Sequence, residues 1–167
     1  MPYSYSFFKE EVKNHLISVL DKDIKILDVG AGSGSYGLLL KNYFTNIDAL
    51  EIFSDYIHQF ELHEIYKNVY ESNILDFDIS KYEYLIFGDI IEHLEINQAQ
   101  ILLEYITNSD KKCIVAIPYL MEQGEVNGNI YEEHKQSDLT HNIFIERYPY
   151  MRLLYGNDKY GYYINYN

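Results

Sequence analysis

Residues 26–37 read Ile-Leu-Asp-Val-Gly-Ala-Gly-Ser-Gly-Ser-Tyr-Gly. This is an apolar strand that runs into a glycine-rich turn and then, at Leu38-Leu39-Leu40, into a helix. Gly30, Gly32 and Gly34 remove the side chains that would keep a ligand away from the backbone, and they permit the positive φ values of a sharp strand-to-helix turn. The helix that follows offers unpaired N–H groups to a polar or anionic ligand group. A plain tight turn needs one or two glycines, not three alternating ones beside a carboxylate. Gly32, Gly34 and Gly37 also satisfy Gly-x-Gly-x-x-Gly, with Glu51 about 20 residues beyond, as a dinucleotide site asks. Asp28 argues against that reading. A carboxylate at the last turn of the strand, facing the ligand, repels a pyrophosphate and welcomes a cationic amino-acid head group.

S-adenosylmethionine carries such a head group. Asp28-x-Gly30-x-Gly32-x-Gly34 resembles the first motif of the class I S-adenosylmethionine-dependent methyltransferases, and the sequence is similar to that family along most of its length. The resemblance implies an α/β, Rossmann-like doubly wound sheet: parallel strands and a reversed strand in a C-terminal hairpin.

The whole chain sets outer limits. Its 167 residues suit one domain with a full core. With 47% hydrophobic and 23% charged residues it is globular in composition. A formal net charge of -13, with 13 Lys and Arg in no obvious cluster, disfavours nucleic acid as a partner. The single cysteine, Cys113, lies in an apolar run, which excludes a disulfide framework and points to a reducing compartment. No basic leader precedes an apolar stretch at Met1 to Ser6, and no run approaches a membrane span, so the expected location is cytosolic. The 19 tyrosines are spread through every segment, which reads as compositional bias and not as an aromatic recognition surface.

Phe7, Phe8, Val12, Leu16, Ile17 and Leu20 recur at helical spacing and predict an amphipathic helix over 5–20. Strands are expected at Ile24 to Val29, Ile47 to Glu51, Asn68 to Tyr70, Tyr84 to Gly88 and Cys113 to Ile117, the last stopped by Pro118. Helices are expected over 35–44, loosely over 53–66, and over 97–107 with Ile101, Leu102, Tyr105 and Ile106 as the apolar face. Residues 119–134 lack periodicity, as a functional loop does at a strand's carboxyl end. Ser137 or Asp138 is placed to cap a helix over Leu139 to Arg147. Met151 to Tyr155 and Tyr160 to Ile164 then form a hairpin.

In an open parallel sheet, ligands bind beyond the carboxyl ends of the strands, which brings Glu51 beside the glycine loop. A carboxylate there accepts both ribose hydroxyls, and the methyltransferase resemblance implies the same task. It also implies that Asn73 bonds the adenine amino group and that Ile74 packs on the ring. Methyl transfer is an in-line displacement, so the protein must align the acceptor and help remove its proton. Asp89-x-x-Glu92-His93 is the richest cluster for that work. If this turn enters a helix, its three side chains share a face and point toward the cofactor's methyl end, which adds Asp89 to the cofactor-side residues. The loop bearing His134 reaches the same spot. Two carboxylates and two imidazoles, Asp89, Glu92, His93 and His134, suit one divalent metal.

That set resembles the Glu-x-x-Glu-His plus distant His of metal-dependent small-RNA 2′-O-methyltransferases and the related motif of ubiquinone-pathway O-methyltransferases. Asp89 is one methylene shorter than their first acid. Mn²⁺, Fe²⁺ or Mg²⁺ suits such mixed ligands. Two other readings stay open: His93 or His134 as a metal-free base, and Asp89 with Glu92 as a helix capping box. His141 is a weaker candidate, and His15, His58 and His63 read as surface residues. Gly124 to His134 resembles a Gly-Asn-x-Tyr-Glu-x-His stretch of small stand-alone bacterial and phage methyltransferases, which implies a loop lining the acceptor pocket.

The expectation is therefore one cytosolic methyltransferase domain. Residues 1–22 form a helix on the cofactor side, 23–118 the cofactor-binding core, 119–135 the acceptor-side loop, and 136–167 a helix and hairpin. The acceptor is a small molecule or glycan precursor, modified at a hydroxyl. Its site is either shallow or completed by a second copy in a homodimer. The rival functions are a NAD-dependent oxidoreductase and a non-catalytic S-adenosylmethionine-binding subunit of a partner enzyme.

Overall fold

The structure, a computed structural model, describes residues 4–126 and 128–166. Met1–Tyr3, part of the stretch read for a leader, and Asn127 of the Gly124 to His134 stretch lie outside them. Seven strands form one sheet in the order β3-β2-β1-β4-β5-β7-β6. They are β1 (Ile26–Val29), β2 (Ile47–Glu51), β3 (Val69–Glu71), β4 (Tyr84–Gly88), β5 (Lys112–Pro118), β6 (Arg152–Gly156) and β7 (Tyr160–Ile164). β1, β2 and β3 pair in parallel, while β7 runs antiparallel to both β5 and β6. This is the α/β doubly wound sheet with the reversed strand that the sequence predicts. The chain falls into two compact units, one reaching to Ile86 and one starting at Phe87. Among the described residues no helix is long and apolar enough to cross a membrane.

In the first unit every residue of β1 and β2 is buried, as befits parallel strands covered on both faces. Helix α1 (Lys9–Val19) starts later than the spacing predicts, because Phe8 takes a left-handed conformation at its N-terminus. Val12, Leu16 and Leu20 carry its buried stripe, and Ile17 is exposed. Helix α2 (Ser35–Leu40) ends at Leu40 instead of running to 44, since the Leu40 carbonyl takes the N–H groups of both Tyr43 and Phe44 in a tight turn. The loose pattern over 53–66 resolves into α3 (Ser54–Gln59), a left-handed Glu61, and a 3₁₀ turn over Leu62–Glu64. That turn aims Ile65 and Tyr66 back at the glycine loop.

In the second unit α4 (Ile96–Asn108) buries Ala99, Leu102, Leu103 and Ile106. The helix-face expectation is corrected at two positions: Ile101 is 68% exposed and Tyr105 51% exposed. Its N-terminus carries a capping box, but of Glu95 with Gln98, not of Asp89 with Glu92. Helix α5 (His141–Arg147) is capped by Thr140, whose hydroxyl accepts the Ile143 N–H at 3.2 Å. Ser137 and Asp138 are not its caps, and Asp138 pairs with Arg147 instead. The turn of the β6–β7 hairpin closes on the Asn157 side chain, whose oxygen accepts the N–H groups of Lys159 and Tyr160. Cys113 is buried in β5 as expected, and burial pushes its thiol well up.

β7 is the inner strand of this half, and its Tyr160, Tyr162 and Tyr163 are fully buried. Between them Gly161 makes room for Tyr119, whose hydroxyl shares a hydrogen bond with that of Tyr163 at 2.5 Å. A Cβ at Gly161 would stand 2.1 Å from the Tyr119 hydroxyl and 2.7 Å from the Tyr163 ring. Gly161→Ala is therefore expected to destabilise the protein by about 1–3 kcal/mol through overpacking. Urea unfolding reads this as a lower midpoint at unchanged slope.

Candidate functional site

Gly30, Gly32 and Gly34 all have positive φ, so the loop uses its glycines as the sequence requires. The N–H groups of Gly30 and Ala31 both reach the Leu50 carbonyl, at 2.7 and 3.2 Å, which folds the loop over the end of β2. Gly37 has a different task. A Cβ there would lie 2.4 Å from the Tyr66 ring, so its absence lets Tyr66 pass beneath the helix. The Tyr66 hydroxyl donates to Asp28 Oδ2 at 2.5 Å and accepts the Gly37 N–H at 3.1 Å.

Asp28, the acid that the sequence sets toward the ligand, is buried beneath the loop. It is 1% exposed, and burial pushes its carboxyl up to about 7 against the opposing effects of the Tyr66 hydrogen bond and the Lys9 charge. Lys9 stands over the Tyr36 ring, 3.4 Å from its centre, and donates to Ser35 Oγ at 3.3 Å. Asp28 is thus a sunken acid beneath the loop.

Glu51, 4% exposed at the end of β2, braces the same loop. One carboxylate oxygen accepts the Gly32 N–H at 2.8 Å and the other accepts the Phe53 N–H at 2.9 Å. These bonds fix the orientation of the carboxylate. Asn73 is half-buried; its side-chain oxygen accepts the Leu75 N–H at 3.0 Å, and Ile74 beside it is buried.

The second unit carries the other cluster. Asp89 takes a left-handed backbone, φ 59°, and Glu92 and His93 follow on a 3₁₀ turn, Ile91–His93, not on a helix face. Asp89 Oδ1 accepts the Tyr160 hydroxyl. Among the described residues the atoms close enough to share one cation come from Glu92, His93 and His134, mutually within 4.8 Å. Asp89 stands outside that trio. The reason is its turned backbone together with the pull of Tyr160.

Each histidine is set for the same job. The Nδ1–H groups donate to backbone carbonyls, His93 to Glu133 at 3.2 Å and His134 to Met121 at 2.8 Å, which leaves an Nε2 lone pair on both rings. The rings meet edge-on, centres 4.6 Å apart. Burial, then the neighbouring His134, lowers His93 to about 4; burial also lowers His134, so both are neutral at pH 7. Glu92 is 1% exposed, and among the described residues neither carboxylate oxygen has a hydrogen-bond partner. Burial, then the Asp89 charge, holds its carboxyl well above the usual range. An orphaned buried carboxylate beside two neutral imidazoles fits a divalent cation. His134 also borders a cleft of about 310 Å³ lined by Glu122, Gln123, Gly124, Glu133 and Ser137. His141 stacks on Tyr163 at the 5.9 Å centre distance, apart from the trio.

Sequence reasoning passes over Tyr66, Tyr160 and Gln123. Nothing marks two of 19 tyrosines or one glutamine as site residues until the fold brings them to Asp28, Asp89 and the His134 loop.

Tyr66→Phe leaves the Gly37 N–H and Asp28 short of a buried partner, at an expected cost of about 1–3 kcal/mol in chemical denaturation. Asp28 also sets a pH dependence. Its pKa is near 4 unfolded and about 7 folded. Raised on folding, it contributes stability that is whole below pH 4 and lost as pH rises through 7. The advantage of Asp28→Asn over wild type should therefore grow from pH 4 to pH 8 by up to a few kcal/mol, at about 1.4 kcal/mol per pKa unit. A constant difference across that window would show an ordinary Asp28.

No protein-family model matches the chain, and no curated protein is significantly similar to it in sequence. Solved structures do share its fold. The methyltransferase domain of bacterial CtHen1 is 20% identical, over 93% of this chain and 95% of that one, with a TM-score of 0.65. An S-adenosylmethionine-dependent methyltransferase from Clostridium acetobutylicum is 11% identical over 97% and 91%, TM-score 0.69. DhpI in complex with SAM and HEP is 10% identical over 96% and 87%, TM-score 0.71. At these identities the likeness establishes the fold: the chain has the Rossmann-like sheet of class I methyltransferases.

Proposed function

We propose that this chain is an S-adenosylmethionine-dependent methyltransferase, one catalytic domain that methylates a hydroxyl of a small molecule or glycan precursor with the help of a divalent cation. One observation carries the cation: the buried Glu92 carboxylate, without hydrogen-bond partners among the described residues, has a ring nitrogen of His93 and one of His134 within 4.8 Å. The cofactor reading is supported by the glycine loop over buried Asp28, by Glu51, and by a fold shared with proteins named as methyltransferases and with DhpI in its complex with SAM.

In this reading the negative potential of Asp28 favours the cationic methionine end of the cofactor. A pyrophosphate would meet the same charge as a repulsion, which disfavours a nicotinamide dinucleotide. Glu51, oriented by Gly32 and Phe53, takes the ribose hydroxyls, and Asn73 with Ile74 takes the adenine. Glu92, His93 and His134 would hold the cation, which when bound lowers an acceptor hydroxyl's pKa and orients it. The cleft beside His134 has two carboxylates, an amide and a hydroxyl in its lining and no lysine or arginine. Together with the net charge of -13, that lining suits a neutral or cationic polyol better than a phosphorylated acceptor.

Calorimetry with S-adenosylhomocysteine and NAD, followed by methyl-transfer assays on catechol and vicinal-diol sugars with and without Mn²⁺, tests this. The first ligand should bind and NAD should not. Glu51→Gln should weaken binding about 10-fold or more, the scale of a lost charge-assisted hydrogen bond. Transfer should require Mn²⁺ and fall about 100-fold in His93→Ala and His134→Ala, the upper range for disrupting a metal site. Retention of NAD alone would make the chain a dinucleotide protein, and cofactor binding without transfer to any acceptor would favour a non-catalytic subunit.

A further inference from the structure

The turn Ile91–His93, which carries Glu92 and His93, is gripped from the segment that carries His134. The N–H groups of Lys135 and Gln136 both donate to the Glu92 carbonyl, at 2.8 and 3.0 Å, and His93 Nδ1–H donates to the Glu133 carbonyl at 3.2 Å. The Gln136 side chain, in a residue 2% exposed, completes the grip. Its amide nitrogen donates to the carbonyls of Ile91 at 2.9 Å and Leu94 at 3.1 Å, the residues just before and just after Glu92 and His93. Its amide oxygen accepts the Tyr148 hydroxyl at 2.9 Å and an Arg147 N–H at 3.2 Å. Carbonyls only accept and a guanidinium only donates, so the amide has one orientation, with both polar atoms satisfied. Arg147, at the end of α5, is fixed in turn by Asp138.

Glu92 depends on this arrangement more than the histidines do. A ligating side chain is ordinarily oriented by a hydrogen bond from an outer partner, and His93 and His134 each have one at Nδ1. The Glu92 carboxylate has none among the described residues. Its place follows from packing and from its backbone, and that backbone is what Lys135 and Gln136 hold. A metal site tolerates displacements of only about 0.5 Å, so a looser turn costs cation affinity even where the fold survives.

We infer that Gln136 is the positioning residue of the cation site: its buried amide fixes the Glu92–His93 turn against the His134 segment, so that the three ligands are gathered before a cation arrives. The inference rests on the cation reading made above. Gln136 itself touches neither cation nor acceptor. It acts through the carbonyls of the turn, and Tyr148 and Arg147 keep its amide aimed at them.

Calorimetric titration of Mn²⁺ into the full-length protein, wild type beside Gln136→Met, tests the role. Met at 136 keeps the length of the side chain and the backbone N–H to Glu92, and removes the amide. Folded Gln136→Met, checked by circular dichroism, should bind Mn²⁺ about 10-fold or more weakly. Val12→Ala is the control for lost stability alone. It hollows a buried position of α1 in the other unit, and it should lower the melting temperature while keeping wild-type Mn²⁺ affinity. Wild-type affinity in Gln136→Met, or an equal loss of affinity in Val12→Ala, overturns the role. Should Gln136→Met fail to fold, Tyr148→Phe, which removes only a hydroxyl that the Gln136 oxygen accepts, should weaken Mn²⁺ binding measurably; unchanged affinity there overturns the role as well. A wild-type protein that takes up no Mn²⁺ removes the cation reading itself, and the role of Gln136 with it.

Discussion

The first half of the molecule depends on one hydroxyl. Tyr66 lies between Asp28 and the Gly37 N–H, donating to the first and accepting from the second. Without that donor Asp28 would be a buried carboxylate with its hydration removed, a state that costs several kcal/mol. Without a glycine at 37 the ring would have no passage. Gly37 thus serves the acid of the first strand through Tyr66, a residue 38 positions from that acid. A tyrosine suits the place better than an arginine would. It satisfies the carboxylate without cancelling its charge, and the negative potential remains for a ligand.

The same solution recurs. Asp48 on β2 accepts the Tyr82 hydroxyl at 2.8 Å, with Lys81 farther off at 3.8 Å, and half-buried Asp89 accepts the Tyr160 hydroxyl. The chain has 26 acids and 13 lysines and arginines, so a cationic partner for every buried acid would draw heavily on a scarce residue. Tyrosine fills the core with a large ring and carries one donor at its tip. Its abundance, which in the sequence looks like bias, becomes in the fold a way to bury carboxylates in an acidic protein.

How much of this is legible beforehand follows from the range of the forces. β2 and β4 are found where the apolar runs put them, since a buried strand writes its pattern into consecutive residues. The three glycines of the loop are legible because each answers a local backbone demand. The start of α1 is not, because Phe8 adopts a left-handed turn that no periodicity announces. The face of α4 is misplaced at Ile101 and Tyr105 because apolar residues on both sides of the true stripe blur the period. Asp89 misleads for a related reason. Spacing puts it on one face with Glu92 and His93 only if the backbone is helical, and a single residue at positive φ removes that premise. Tyr66 and Tyr160 gain their meaning from contacts made across the fold, which leave no trace in their neighbours.

Asp28 and Glu92 show two ways of keeping an acid inside. Both are 1% exposed and both carboxyls are held above the usual range by burial. Asp28 has its hydroxyl donor, so its half of the molecule is satisfied before any ligand arrives. Glu92 has none, and a buried carboxylate left so lowers the stability of the empty protein, whichever protonation state it takes. That deficit is recoverable by a cation, which would bind the folded chain far better than the unfolded one and stabilise it by mass action. The difference between the two acids is therefore one of timing: Asp28 is satisfied by folding, and under the proposed function Glu92 would be satisfied only when a cation binds.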